Sequence, residues 1–187
     1  MPPKKVKRVA FIGRFQPFHR GHLSVLQDLL EEFNQVLVVI GSSDKFRTPE
    51  NPFTVGERHA MVKATMDALA IKPDKYKVIP LPDIGDDEKW VKHVCDVCDA
   101  FDVVVSGNEK VQDLFRKSKR KIKVAEPKQK YRITATAVRE AIRNGEDLQK
   151  YLHEAVVAFL QKIGAARKII DIEEEAKAEE NAENTEA

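Results

Sequence analysis

The chain has 187 residues, 42% of them hydrophobic and 33% charged, with a formal net charge of +2. That length suits one domain with a sizeable core, and without a run of about eighteen apolar residues it offers no membrane-spanning helix. Residues 171–187 carry eight acidic residues against one lysine, a net of −7, which leaves +9 on residues 1–170, a balance that suits phosphate-rich partners.

Met1 to Arg8 is basic without a hydrophobic stretch, so it does not read as a signal peptide, and the expected location is cytoplasmic. A first strand is expected over Arg8 to Ile12, followed by the loop Gly13-Arg14-Phe15-Gln16-Pro17-Phe18-His19-Arg20-Gly21-His22. Leu23, Leu26, Leu29, Leu30 and Phe33 then recur at helical spacing and give the first helix one apolar face. Gln35 to Ile40 reads as a strand covered on both faces and ends in the turn Gly41 to Asp44. Lys45 to Phe53 is a loop, and Thr54 with Glu57 forms a capping box for a helix to about Ala70. Arg58 is expected to pair locally on that helix.

Lys77 to Leu81 is the third strand, left by the loop Pro82 to Gly85. A helix from about Asp87 carries Trp90, Val91, Val94, Cys95 and Cys98. The cysteines form a C-x-x-C with no second pair for a zinc site, and His93 adds only a third ligand, so they read as reduced thiols. Asp102 to Val105 is the fourth strand, Glu109 to Lys117 a helix, and Ile122 to Ala125 the fifth strand. The stretch Ile133 to Thr136 opens a helix that stops at Asn144-Gly145, and Leu148 to Ile163 reads as the last core helix. Residues 171–187 read as an acidic, alanine-rich tail, disordered or a fraying helix, so the division is a domain over 1–170 and a tail over 171–187. Alternating strands and helices imply an α/β fold, a Rossmann-like open parallel five-stranded sheet with helices on both faces.

The loop between the first strand and helix is the centre of the functional reading. A helix start attracts anions through unpaired N–H groups and partial positive charge. Gly13 and Gly21 permit tight turning, Arg14 offers a planar fork of donors to phosphate, and His19 and His22 can hydrogen-bond phosphate. Thr134-Ala135-Thr136-Ala137-Val138-Arg139 is a second helix start with hydroxyls. Arg139 there opposes the helix dipole, which points to a neighbouring anion.

The ten-residue loop resembles the signature of the H-x-G-H nucleotidyltransferases, and in its spelling the archaeal type of nicotinamide-nucleotide adenylyltransferase. The similarity extends to Glu50 through Arg58, to Pro82-Asp83-Ile84 with Trp90-Val91, to Ser106-Gly107-Asn108 and to Thr134 through Arg139. Ala135, Ala137 and the interval Gly85 to Lys89 depart from the residues usual there. The resemblance implies adenylyl transfer from ATP to nicotinamide mononucleotide, forming NAD. It implies catalytic roles for His19, His22, Arg14 and Arg139, and ATP contacts by Gly13, Arg14, Phe15, His19, His22, Ser106, Gly107, Asn108, Thr134, Thr136 and Arg139. Ser42, Arg47, Asp83, Ile84, Trp90 and Val91 are the expected mononucleotide contacts, with Trp90 stacking on the flat base; the alternative for Trp90 is core packing. Magnesium is expected to come with ATP rather than in a carboxylate cage, and a homo-oligomer without membrane contact is implied. The rival readings are another phosphate acceptor on the same fold, and a nucleic-acid module using the basic run Arg116 to Lys123. That run lacks the interleaved aromatics that stack bases.

Overall fold

The computed structural model describes residues 7–128 and 130–185. Most of the basic N-terminal segment (1–6), Gln129 and the last two residues lie outside the described residues.

Five strands alternate with helices in chain order: β1 (Arg8–Gly13), α1 (Arg20–Glu32), β2 (Gln35–Ile40), α2 (Val55–Ala68), β3 (Tyr76–Pro80), α3 (Asp87–Val97), β4 (Val103–Ser106), α4 (Glu109–Lys117), β5 (Lys123–Ala125), α5 (Ala135–Arg143), α6 (Glu154–Lys162) and α7 (Ala165–Thr185). The strands form one sheet in the order β3-β2-β1-β4-β5, parallel at every pairing. This is the expected Rossmann-like α/β sheet. Successive side chains on a strand point to opposite faces, and both faces here are apolar. Val9, Phe11, Val36, Val38, Ile40, Val103 and Val105 pack under α1, α2, α5, α6 and α7. Ala10, Ile12, Leu37, Val39, Ile79 and Val104 pack under α3 and α4. The register sets Gly13 beside Ile40 and Ile12 beside Ser106, so the carboxyl ends of the three central strands finish level. The chain order reverses between β1 and β4, and α/β sheets bind ligands at such a switch point.

One expectation is corrected. Leu148 to Ile163 is not one helix: a single 3-10 turn, Leu148–Lys150, precedes α6. His153 breaks the run by turning extended and capping α6, its Nδ1 accepting from the Ala155 N–H at 3.2 Å. Apolar spacing continues through such a break and does not reveal it. The acidic tail takes the helical alternative, and α7 runs on from Ala165 through Thr185. Alanine, glutamate and lysine favour helix, and the first turns are anchored by buried Ala165, Ile169 and Ile172. Lys168 reaches Glu57 Oε2 at 2.6 Å, and Arg143 reaches Glu173 at 3.3 Å, which ties the helix to α2 and α5.

Candidate active site

A cavity of about 1010 Å³ opens at the carboxyl edge of the sheet, lined by the loops that follow all five strands. At its centre His19 and His22 stack with ring centroids 3.6 Å apart. His19 is the N-cap of α1 and His22 its third residue. Each ring accepts a backbone hydrogen bond from the other residue: His22 N–H to His19 Nδ1, and His19 N–H to His22 Nδ1, both 3.3 Å. An imidazole nitrogen that accepts carries no proton, so in the neutral state each proton sits on Nε2. The capping box thereby fixes both tautomers and leaves two Nε2–H donors for the cavity.

Burial keeps both rings neutral. His19 is only 3% exposed, and desolvation pushes its pKa down to about 4, against a smaller opposing hydrogen bond from its own backbone. His22 sits well below the ordinary histidine range through burial first and His19 second. Behind it Phe15, Phe11 and Phe18 form an aromatic wall, with Phe15 edge-on to His22 at 4.9 Å. Such a wall offers an imidazolium no hydration. The glycines serve this packing. A Cβ on Gly21 would stand 3.0 Å from the His19 ring and 3.2 Å from the Tyr131 carbonyl, and one on Gly13 would stand 2.9 Å from the Phe15 ring.

The helix start itself offers fewer amides than the sequence led us to expect. The Arg20 N–H is spent on the Tyr151 carbonyl at 2.8 Å and the His22 N–H on His19. The imidazole donors stand in their place. The cationic residues gather beside them. Arg14 and Arg139 line the cavity, with no carboxylate in ion-pair reach of either among the described residues. Arg139 donates to the Gln16 carbonyl at 3.0 Å, and its pKa is lowered by burial and then by Arg14. α1 and α5 have no acidic residue in their first turns, whereas α3 carries Asp87 and Glu88 there and α4 carries Glu109. The cavity is therefore cationic between α1 and α5 and mixed in charge between α3 and α4, where Lys110 pairs with Asp87 at 2.8 Å.

Most of the sequence-predicted residues converge. Gly13, Arg14, Phe15, His19, His22, Ser42, Asp83, Ile84, Trp90, Ser106, Gly107, Asn108, Thr134 and Arg139 all line the cavity. Asp83 is held by Lys45 at 2.8 Å and by the Ser42 hydroxyl at 3.2 Å, which joins the loops after β2 and β3. Trp90 faces the cavity and also packs edge-on against Phe115 at 6.1 Å. Three residues do not join the lining. Val91 is buried in the core between α3 and the sheet, because neighbouring helix residues face different ways and Trp90 takes the cavity side. Arg47 points to α7, where Glu175 accepts two hydrogen bonds from its Nη2 at 2.9 and 2.7 Å. Thr136 lies outside and accepts from Arg139 at 3.3 Å.

Two residues escaped sequence reasoning. Gln16 is 2% exposed and pairs through both ends of its amide with the Phe53 backbone, at 2.8 and 3.0 Å. Arg58 pairs at its own helix start as expected, its Nε donating to the Thr54 carbonyl at 3.4 Å, but it is also fully buried and reaches across to the carbonyls of Arg14, Gly41 and Ser42 at 2.9–3.0 Å. Long-range partners of this kind leave no local spacing signal. Cys95 and Cys98 are free, and burial pushes the Cys98 thiol up to about 11.

The cytidylyltransferase-like family profile matches residues 10–141, the span from β1 through α5 that builds this cavity. The chain belongs to the cytidylyltransferase-like family. Within that family it is 34% identical over 168 residues to a nicotinamide-nucleotide adenylyltransferase of Archaeoglobus fulgidus, covering 88% of this chain and 97% of the relative. The corresponding protein of Thermoplasma acidophilum is 34% identical over 169 residues, covering 90% and 93%. Among solved structures, a bifunctional NMN adenylyltransferase/ADP ribose pyrophosphatase from Francisella tularensis superposes with a TM-score of 0.78 at 24% identity. It covers 97% of this chain, which spans 57% of that one, and the same protein has been solved with AMP and a manganese ion. No helix among the described residues is long and apolar enough to cross a membrane.

Proposed function

We infer that this chain is an adenylyltransferase that joins nicotinamide mononucleotide to the adenylyl group of ATP, forming NAD and releasing pyrophosphate. The observation that carries the reading is the stacked His19–His22 pair, whose locked tautomers turn two neutral donors toward a cavity end that also holds Arg14 and Arg139. The archaeal relatives, similar over nearly their whole length, supply the substrates.

In the reaction an oxygen of the mononucleotide phosphate attacks the α-phosphorus of ATP. The bond from that phosphorus to the oxygen bridging to the β-phosphate breaks, and pyrophosphate leaves with the electron pair. The attacking oxygen is already anionic, so no protein base and no covalent intermediate is required. Catalysis is positioning and charge stabilisation. His22 donates to the α-phosphate, where charge grows, and His19, Arg14 and Arg139 hold the triphosphate. A neutral Nε2–H donates directly to the developing charge, and the neighbouring arginines supply the positive charge. Ser106, Gly107 and Asn108 meet the adenosine, Thr134 caps α5 beside the phosphates, and Ser42, Asp83, Ile84 and Trp90 form the mononucleotide side.

No cluster of three histidine, cysteine or carboxylate side chains able to hold a metal occurs among the described residues. In this reading a divalent ion, magnesium, enters as part of the nucleotide substrate, held by its phosphates. The catalytic body extends through residue 170, and cytoplasmic homo-oligomers are the expected form.

The test is pyrophosphate release from ATP and magnesium with nicotinamide mononucleotide as acceptor, and NAD identified by mass. Release with only a different phosphate acceptor would move the substrate assignment. No release with any acceptor, together with salt-sensitive oligonucleotide binding, would overturn the enzymatic reading.

A further inference from the structure

Arg58 is an arginine with no exposed surface, and no carboxylate lies within ion-pair distance of it among the described residues. Its guanidinium donates instead to main-chain carbonyls: Nη1 to Arg14 at 3.0 Å and to Gly41 at 2.9 Å, Nη2 to Ser42 at 3.0 Å, and Nε to Thr54 at the start of its own helix at 3.4 Å. Because the first two oxygens each lie about 3 Å from one nitrogen, they are within about 6 Å of each other. The Arg14–Phe15 and Gly41–Ser42 peptide units are therefore neighbours, although one belongs to the signature loop and the other to the loop after β2.

In a trans peptide unit the N–H points opposite to the C=O. With both carbonyls turned back toward Arg58, the Phe15 and Ser42 N–H groups turn away from it. Neither has a hydrogen-bond acceptor among the described residues, and both residues line the cavity. Both also hold left-handed backbone angles, φ 53° at Phe15 and φ 47° at Ser42, a strained conformation for non-glycine residues that concentrates at functional sites. Main-chain amides presented this way from turns form an anion-binding concavity, here flanked by Arg14 and Lys45.

We propose that Arg58 is a positioning residue that pins the two loops from behind so that the Phe15 and Ser42 amides jointly hold a phosphate group of the acceptor mononucleotide. The proposal rests on the adenylyltransferase reading for the identity of the acceptor, but not for the anion site itself. Lysine at this position keeps the charge but gathers its donors on one nitrogen, so it loses the fork that spans the two loops from Nη1 and Nη2.

Two experiments test it. In the wild-type chain, inorganic phosphate is titrated while backbone amides are followed by NMR; the Phe15 and Ser42 resonances are expected to shift together and saturate. Static resonances there would overturn the amide cradle whether or not the chain makes NAD. In R58K, the KM for the mononucleotide is expected to rise about tenfold or more, the effect of losing a hydrogen bond to a charged group, with the KM for ATP within twofold. Equal losses for both substrates, or full activity, would make Arg58 a structural staple alone. If R58K does not fold, the phosphate titration decides, and a wild-type chain that binds phosphate but makes no NAD would separate this site from the proposed reaction.

Discussion

Replacing His19 with asparagine isolates the histidine pair from the rest of the fold. Asparagine is among the best N-cap residues, so the start of α1 keeps an acceptor, while the titrating ring is lost. The ring's pKa falls from 6.5 to about 4 on folding, which at about 1.4 kcal/mol per pH unit is worth about 3 kcal/mol. The sign follows from proton counting. Between pH 4 and 6.5 the unfolded chain holds a proton on this ring and the folded chain does not, so stability rises with pH in that window. The contribution is complete above pH 6.5 and lost as pH falls to about 4. His22 is shifted in the same direction and adds to the slope. Urea unfolding at half-unit steps from pH 4 to 8 measures it. The difference between wild type and H19N should grow in favour of wild type by about 3 kcal/mol across the window. The comparison removes the background from carboxylates, which titrate alike in both. Parallel curves would refute the claim that the ring is held neutral by burial.

Other outcomes follow from the same geometry. H22A should lower kcat by about 10²–10³, the effect of removing one charge-stabilising donor, and a near wild-type turnover would take His22 out of the mechanism. Helix preference alone favours alanine over glycine by about 1 kcal/mol, yet G21A should lower kcat at least about tenfold. Its Cβ displaces the His19 ring that it would meet at 3.0 Å, so an active, more stable variant would refute that packing. K168M removes the partner of Glu57 where both side chains are about a quarter exposed or less. The expected loss is about 1–2 kcal/mol, between the values for surface and buried pairs, read as a lower urea midpoint with unchanged slope.

Much of this site is legible in the sequence because its chemistry is local. The signature loop lies within one strand–helix connection, and the Thr54–Glu57 capping box spans three residues, its two backbone bonds both formed. What escaped was long in range or a matter of facing. Arg47, expected at the mononucleotide, meets its carboxylate 128 residues away, and Arg58, expected to pair only locally, reaches carbonyls 16 to 44 residues back. Trp90 and Val91 are neighbours on one helix, and only the packing of α3 against the sheet decides which of them sees the cavity. Composition alone left the segment after residue 170 open between disorder and helix; burial of Ile172 and the ion pairs from α7 to α2 and α5 favour the helix.

The reciprocal bonding of His19 and His22 has a consequence for how such a chain can change. Each ring caps the other's amide and sets the other's proton, so a substitution at one position also alters the chemistry available at the other. Single-step drift at either position loses a donor, and replacements that cannot cap lose the helix start as well. The two residues therefore behave as one heritable part, and a productive alternative has to arrive as a pair.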